Sequence, residues 1–307
     1  MSPTMYIAGA GGQLGTALRA VSAANADVRA LTSADIDITD ASSVTSALAG
    51  LRADDVVLNC AAFTNVDGAE SDPDGAYAVN RDGPAYLARS TAAAGAWLIH
   101  VSTDYVFAGA AATDAGPRRT RPYEPDDVTG IPETVYGASK LAGERAVLDA
   151  DPTATVVRTA WVYTGGPDSP DFVGTMRRLE AQRDELTVVD DQTGSPTYAV
   201  DLAAALWGLA SVGRRDRTAG AVLHATNEGS VTWHTVAQAV FAEIGADPGR
   251  VRPCTTHQFP RPAPRPAFSV LSGRSWADAG LTPLRDWRSA LHAAIADPGP
   301  SLDTLTP

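Results

Sequence analysis

Near the start of the chain a short apolar run, MYIAGA (5–10), meets a glycine-rich turn, GAGGQLG (9–15), and passes directly into an amphipathic stretch, QLGTALRAVSAA (13–24). Glycines three residues apart let the backbone turn sharply between the two elements, and an apolar run with no polar alternation needs cover on both faces. The same alternation continues. DVRAL (27–31), DVVLNCAA (55–62), WLIHVSTDYVF (97–107) and ATVVRTAWVY (154–163) read as buried strands. Between them lie helical stretches at ASSVTSALAGL (41–51), with Asp40 as its N-cap, across 73–95, and at YGASKLAGERAVL (136–148). Strands of this kind separated by helices predict an α/β fold, a doubly wound parallel sheet of Rossmann type.

Composition narrows the function classes. The 307 residues carry a formal charge of −12, a surface that repels nucleic acid and anionic lipid, so neither is expected as a partner. No apolar run approaches the roughly 20 residues of a membrane span, and the N-terminus enters a strand at once with no room for a signal peptide; a cytoplasmic protein is the expectation. Cys60 and Cys254 follow no metal or redox spacing and read as free thiols. The five histidines, 100, 224, 234, 257 and 292, show no ligand spacing either.

Two stretches carry chemistry. Gly9, Gly12 and Gly15 stand where a backbone must approach a pyrophosphate, whose charge the following helix N-terminus favours. A dinucleotide site is the expectation there. In YGASK (136–140), Lys140 is the only lysine of the chain, every other strong cation being arginine. It stands four residues after Tyr136, on the same helical face. A nearby ammonium favours phenolate and would lower the tyrosine's pKa, and a compact ammonium is not replaced by arginine's planar fork.

The glycine spacing and the Tyr136/Lys140 pair resemble the extended short-chain dehydrogenase/reductase family. Within it, STDYVF (102–107) resembles the dTDP-4-dehydrorhamnose reductases, because the triplet Thr103-Asp104-Tyr105 lacks the glutamate of the 4,6-dehydratases. NCAAFTNVDGAES (59–71), AVN (78–80), RTAWVY (158–163), DQTGSPTY (191–198) and RPAFSVL (265–271) match that family in order and spacing. The resemblance implies a catalytic set of Thr103, Tyr136 and Lys140. It implies that Gly9, Gly12, Gln13, Leu14 and Gly15 hold the pyrophosphate, that Asp37 and Ile38 contact the adenine, and that Ala61, Ala62 and Thr64 line the cofactor cleft, with Asn80 on the cofactor side. Asp104, Tyr105 and Trp161 would face the sugar, and Arg265 would reach the substrate's diphosphate.

Also implied is NAD(P)H-dependent reduction of the C4 ketone of dTDP-6-deoxy-L-lyxo-4-hexulose to dTDP-L-rhamnose, so the partner is a dTDP-linked 4-keto sugar. NADPH is the expected coenzyme, with NADH accommodated, since VRALTS (28–33) offers neither an acidic residue for a ribose 2′-hydroxyl nor a basic cluster for a 2′-phosphate, and Thr32 and Ser33 tolerate either. Ala17 stands where some relatives carry a glutamate for an interface Mg²⁺, so no metal is assigned, and the matching homodimer is only an option. Asp171 replaces the family's asparagine before the F…TM helix. Two rival readings are a related reductase or epimerase on another nucleotide-sugar, and a non-catalytic NADP-binding regulatory subunit of the same fold, as accompanies methionine adenosyltransferase.

Past residue 163 the rhythm loosens. DFVGTMRRLEAQ and TWHTVAQAVFAEIG read as helices, and 251–268 as a Pro- and Arg-rich loop. The expected division is a dinucleotide-binding unit of 1–160 plus about 197–227, a substrate-binding lobe of about 161–196 and 228–295, and a tail of 296–307.

Overall fold

The structure, a computed structural model, describes residues 3–22, 27–107, 119–214 and 216–297. Its first half alternates as the apolar pattern requires: β1 (Thr4–Ala8), α1 (Gln13–Val21), β2 (Asp27–Leu31), α2 (Ala41–Ala47), β3 (Val56–Asn59), α3 (Val66–Ser71), α4 (Pro73–Tyr77), α5 (Gly83–Ala94), β4 (Trp97–Thr103), α6 (Val135–Ala150) and β5 (Thr155–Thr159). Asp40 caps α2 by accepting from the Ser42 N–H. Between α4 and α5 the helical path over Ala78–Asp82 widens into a π-turn, so the single helical region read over 73–95 is three pieces.

The remaining elements are β6 (Val162–Tyr163), α7 (Phe172–Glu180), β7 (Leu186–Val189), β8 (Thr193–Gly194), β9 (Thr197–Tyr198), α8 (Ala199–Val212), β10 (Val222–His224), β11 (Val231–Thr232), α9 (Trp233–Glu243), β12 (Val251–Cys254), α10 (Arg274–Asp278) and α11 (Trp287–Ala296). Residues Val251–Cys254 are a strand paired in parallel with β7, although the stretch reads as loop. The pair has two strands only, so each is an edge, and an edge tolerates the missing N–H of Pro253. The tail read over 296–307 lies largely outside the described residues, α11 ending at Ala296.

Six parallel strands form the main sheet in the order β10-β5-β4-β3-β1-β2. Alternate side chains of each strand go to opposite faces. Met5, Ile7, Val56, Leu58, Trp97 and Ile99 pack with Leu18 of α1 and with Leu202, Leu206 and Leu209 of α8. Tyr6, Ala8, Val57 and Leu98 pack with Val44 of α2, Leu87 of α5 and Val147 of α6 on the other face. Each fully buried leucine there contributes roughly 2 kcal/mol. Trp276, Leu281 and Leu284 join the α1/α8 face, while α7, α9, α11, β7 and β12 form a separate core around Phe241, Val173 and Leu291.

The strand order reverses between β1 and β3, and such a switch point opens a crevice at the carboxyl ends of the strands. Register fixes what stands along it. Ala8 is opposite Asn59, Asn59 opposite His100, and Thr103 opposite Thr159. Residues 104–105 and 160–161 therefore emerge at the same level.

Candidate active site

The β1–α1 turn sits at the switch point. Gly9 has φ +81°, and a Cβ there would lie 2.6 Å from the Ala61 nitrogen; a Cβ on Gly15 would lie 2.2 Å from the Gly9 carbonyl oxygen. Glycine is required at both positions by close approach of β1's end to the 60–61 backbone and to the first turn of α1. The helix α1 begins at Gly12 with no side-chain cap, whereas α2, α3, α4 and α6 are capped by Asp40, Asn65, Asp72 and Thr134. Uncapped N–H groups at a helix start, reached over glycines, are a donor set that fits a dinucleotide pyrophosphate.

The other residues assigned to the cofactor are placed as follows. Ala61 donates its N–H to Asn59 Oδ1 at 3.1 Å, which shapes the strand's exit. Asn80, fully buried in the π-turn, accepts from the Phe63 N–H at 2.8 Å and donates to Phe63 O and to Ser139 Oγ. It ties the 61–64 segment to α6, so its amide is taken up within the protein. Asp37 turns back to accept from Thr39, and Ile38 is buried in the core against α2 and α5. Gln13 donates its side chain to Ser169 Oγ (3.3 Å) and Asp171 Oδ2 (3.2 Å). This link between α1 and the cap of α7 was not legible in the sequence.

At the end of β4, Thr103 Oγ1 donates to Asp104 Oδ1 at 2.9 Å and accepts from the Tyr105 N–H. The Tyr105 and Tyr136 rings meet edge to face with centroids 5.5 Å apart. Tyr136 is presented by the first turn of α6, which Thr134 caps through the Gly137 N–H. Burial pushes the Tyr136 phenol up to about 12, against the Thr103 hydrogen bond, with the Asp104 charge adding to the rise. Burial raises the Asp104 carboxyl to about 6, opposed by hydrogen bonds from Ser269 and Thr103. So Thr103, Asp104, Tyr105 and Tyr136 are brought together.

Lys140 is buried behind them. Its ammonium donates to the Val101 carbonyl at 2.7 Å, and burial pulls it down to about 8, with the Glu144 charge opposing. The sequence expectation made Lys140 the group that acidifies Tyr136. In the structure burial dominates the phenol, and the forces on it come from Thr103 and Asp104.

Trp161 emerges beside this group from β5, with φ +48°, the only non-glycine positive φ among the described residues. That conformation ends the strand read over 154–163 and is held by a stack on Trp233 (centroids 3.5 Å, planes 8° apart) and by Gly194, where a Cβ would lie 2.3 Å from the indole. Arg265 pairs with Asp67 Oδ1 at 3.0 Å, and both charges act on the buried Tyr105 phenol, whose pKa burial raises. Sequence reading assigned no role to Asp67, Ser269 or Trp233. The first two lie inside motifs already singled out, which was the available signal; Trp233 offered none.

Asp190 and Asp191 are engaged by Thr232 and Thr256, and among the described residues no three metal-ligating side chains converge. Among those residues no helix is long and apolar enough to cross a membrane.

Comparison with known proteins agrees with this geometry. The family model described as the RmlD substrate binding domain matches residues 3–298. A dTDP-4-dehydrorhamnose reductase of Mycobacterium tuberculosis is 58% identical over 301 residues, spanning 98% of this chain and 95% of its own length. The crystal structure of a dTDP-4-dehydrorhamnose reductase from Clostridium acetobutylicum is similar with a TM-score of 0.85 at 36% identity, covering 95% of this chain and 98% of that one. Another from Bacillus anthracis, in complex with NADP, has a TM-score of 0.85 at 33% identity over the same 95% and 98%. A dinucleotide crevice at the β1/β3 switch point, a buried tyrosine beside Thr103-Asp104-Tyr105, and near-full-length likeness to these proteins lead to one conclusion: the chain belongs to the dTDP-4-dehydrorhamnose reductase family, the family of the RmlD substrate binding domain.

Proposed function

We propose that this chain is an NADPH-dependent nucleotide-sugar 4-ketoreductase that reduces the C4 ketone of dTDP-6-deoxy-L-lyxo-4-hexulose to dTDP-L-rhamnose. The observation that carries the reading is the gathering of Tyr136, Thr103 and Asp104 in one buried cluster at the carboxyl end of β4. NADPH, when bound, supplies the hydride. The amides of Gln13, Leu14 and Gly15 would hold its pyrophosphate, with Gly9 and Gly12 setting the turn through the Gly12 N–H to Gly9 carbonyl bond (3.1 Å), and Ala61, Ala62 and Thr64 would line its cleft. Asp37 and Ile38 would border the adenine.

The chain's own part in the reaction is proton delivery and orientation. A phenol pushed to about 12 keeps its proton at neutral pH, so Tyr136 reaches the reaction as an acid. The alkoxide that develops at C4 is a stronger base than this phenolate, so transfer of the proton from Tyr136 is favourable. Thr103 would stabilise that oxygen by turning to it the single hydroxyl proton that is held on Asp104 in this structure. Lys140 would hold the nicotinamide ribose from the far side while anchored to Val101. Tyr105 and Trp161 border the sugar from neighbouring strands in register, and Arg265 would take the diphosphate. The dinucleotide unit is assigned to 1–160 with about 197–227, and the sugar lobe to about 161–196 with 228–295. Both substrates are water-soluble metabolites, in keeping with a cytoplasmic enzyme.

Purified protein is expected to oxidise NADPH only when a dTDP-linked 4-keto sugar is added, and Tyr136→Phe to lower kcat by roughly a hundredfold or more while leaving coenzyme affinity near normal. Full activity in that variant, or oxidation of NADPH with no sugar present, would remove the assignment. Equal turnover of a UDP-linked 4-keto sugar would move it to a related reductase.

A further inference from the structure

The loop that carries Arg265 holds a second guanidinium on the same carboxylate. Asp67, in the first turn of α3, forms ion pairs with Arg265 Nη2 through Oδ1 (3.0 Å) and with Arg261 Nη2 through Oδ2 (3.2 Å). Its Oδ1 also accepts from the Ala263 N–H (3.2 Å), while Arg265 Nη1 donates to the Ala263 carbonyl (2.8 Å). One carboxylate thus fixes two arginines four residues apart and the backbone between them. Arg265 is the deeper of the two, 16% exposed, and Arg261 the outer at 48%, its guanidinium over the Phe259 ring.

Charge gives the arrangement a consequence. Arg265 paired with Asp67 is neutral as a unit and offers a diphosphate no net attraction. Arg261 on the same carboxylate leaves one positive charge over, in a chain whose formal charge is −12. The next acid along α3, Glu70, is turned away to accept from the Val135 N–H at the start of α6. The cluster is also close enough to the sugar side of the site for Arg265 and Asp67 both to act on Tyr105.

We propose that Arg261 is a second diphosphate-binding residue of the nucleotide-sugar site, acting with Arg265, and that Asp67 is the positioning residue that aims both guanidinia. This rests on the reading given above, in which Arg265 meets the substrate's diphosphate. Two forks set on one carboxylate suit the two phosphoryl groups of a diphosphate better than a single one does.

The test compares thymidine and dTDP as ligands of the full chain, with NADPH affinity measured alongside. Arg261→Ala is expected to weaken dTDP by about tenfold, to leave thymidine and NADPH unchanged, and to be partly restored in Arg261→Lys. A loss shared equally by thymidine and dTDP would make Arg261 a structural anchor of the loop, and no loss would make it a surface charge; either overturns the proposal. Arg265→Ala separates the two levels. If it weakens dTDP while Arg261→Ala does not, the second arginine alone is wrong; if neither does, or the wild type does not bind dTDP, the reading of the site itself fails.

Discussion

The Lys140 ammonium donates to the main-chain carbonyl of Val101 at 2.7 Å, strapping helix α6 to the strand that ends in Thr103. One turn earlier on that helix stands Tyr136, so the strap fixes the distance between the phenol and the Thr103 hydroxyl. The ammonium is 2% exposed and its pKa is drawn down to about 8 by burial.

That value has a measurable consequence. Lys140 loses its proton as pH rises through about 8, and with it the charge that would hold the nicotinamide ribose. NADPH affinity is expected to fall between pH 7 and 9.5 in the wild type. In Lys140→Arg, which does not titrate there, affinity should be weaker throughout but flat. A wild-type profile flat to pH 10 by fluorescence titration would contradict the assignment.

Asp104 sets stability against function. Its folded pKa of about 6 lies above the ordinary 3.8, so the stability linked to this group is full below the unfolded value and is lost as pH rises through about 6. At pH 7.5 the ionised buried carboxylate costs roughly 3 kcal/mol. Asp104→Asn should therefore raise Tm at pH 7.5, with the gain shrinking steadily toward pH 4.5, while turnover drops because Thr103 loses its anionic acceptor. Melting curves across that range check the sign; a uniform loss of Tm would reverse the reading.

Behind the site, Arg158 of β5 makes two hydrogen bonds to Glu144 of α6, at 2.9 and 2.8 Å, and both side chains are 4% exposed. Removing one partner strands a buried charge. Glu144→Ala is expected to cost about 3 to 5 kcal/mol in urea unfolding, and the double variant Glu144→Gln with Arg158→Met to recover most of it. If the double variant is as unstable as the single one, packing rather than charge governs the pair.

Gly15→Ala places a methyl group where only 2.2 Å separates it from the Gly9 carbonyl oxygen. The β1–α1 turn must open, and NADPH affinity should fall by more than about tenfold while far-UV circular dichroism stays that of the wild type. Unchanged affinity would show that the turn does not set the pyrophosphate site.

Legible in the residues alone are the alternation of strands and helices up to residue 163, the parallel doubly wound sheet, the Asp40 cap and the pairing of Tyr136 with Lys140 on one helical face. These are local properties: side-chain period, cap chemistry and glycine placement act within a few residues of the chain. Which distant groups meet is settled by folding. It gave Lys140 to Val101, Gln13 to Asp171 and Arg265 to Asp67, made an edge strand of Val251–Cys254 around Pro253, and turned Trp161 into a positive φ against Trp233. With 24 basic and 36 acidic side chains, many ion pairs are chemically equivalent until folding brings particular ones within reach. Burial likewise exists only in the folded chain, and it is burial that raises the Tyr136 phenol and the Asp104 carboxyl and lowers the Lys140 ammonium.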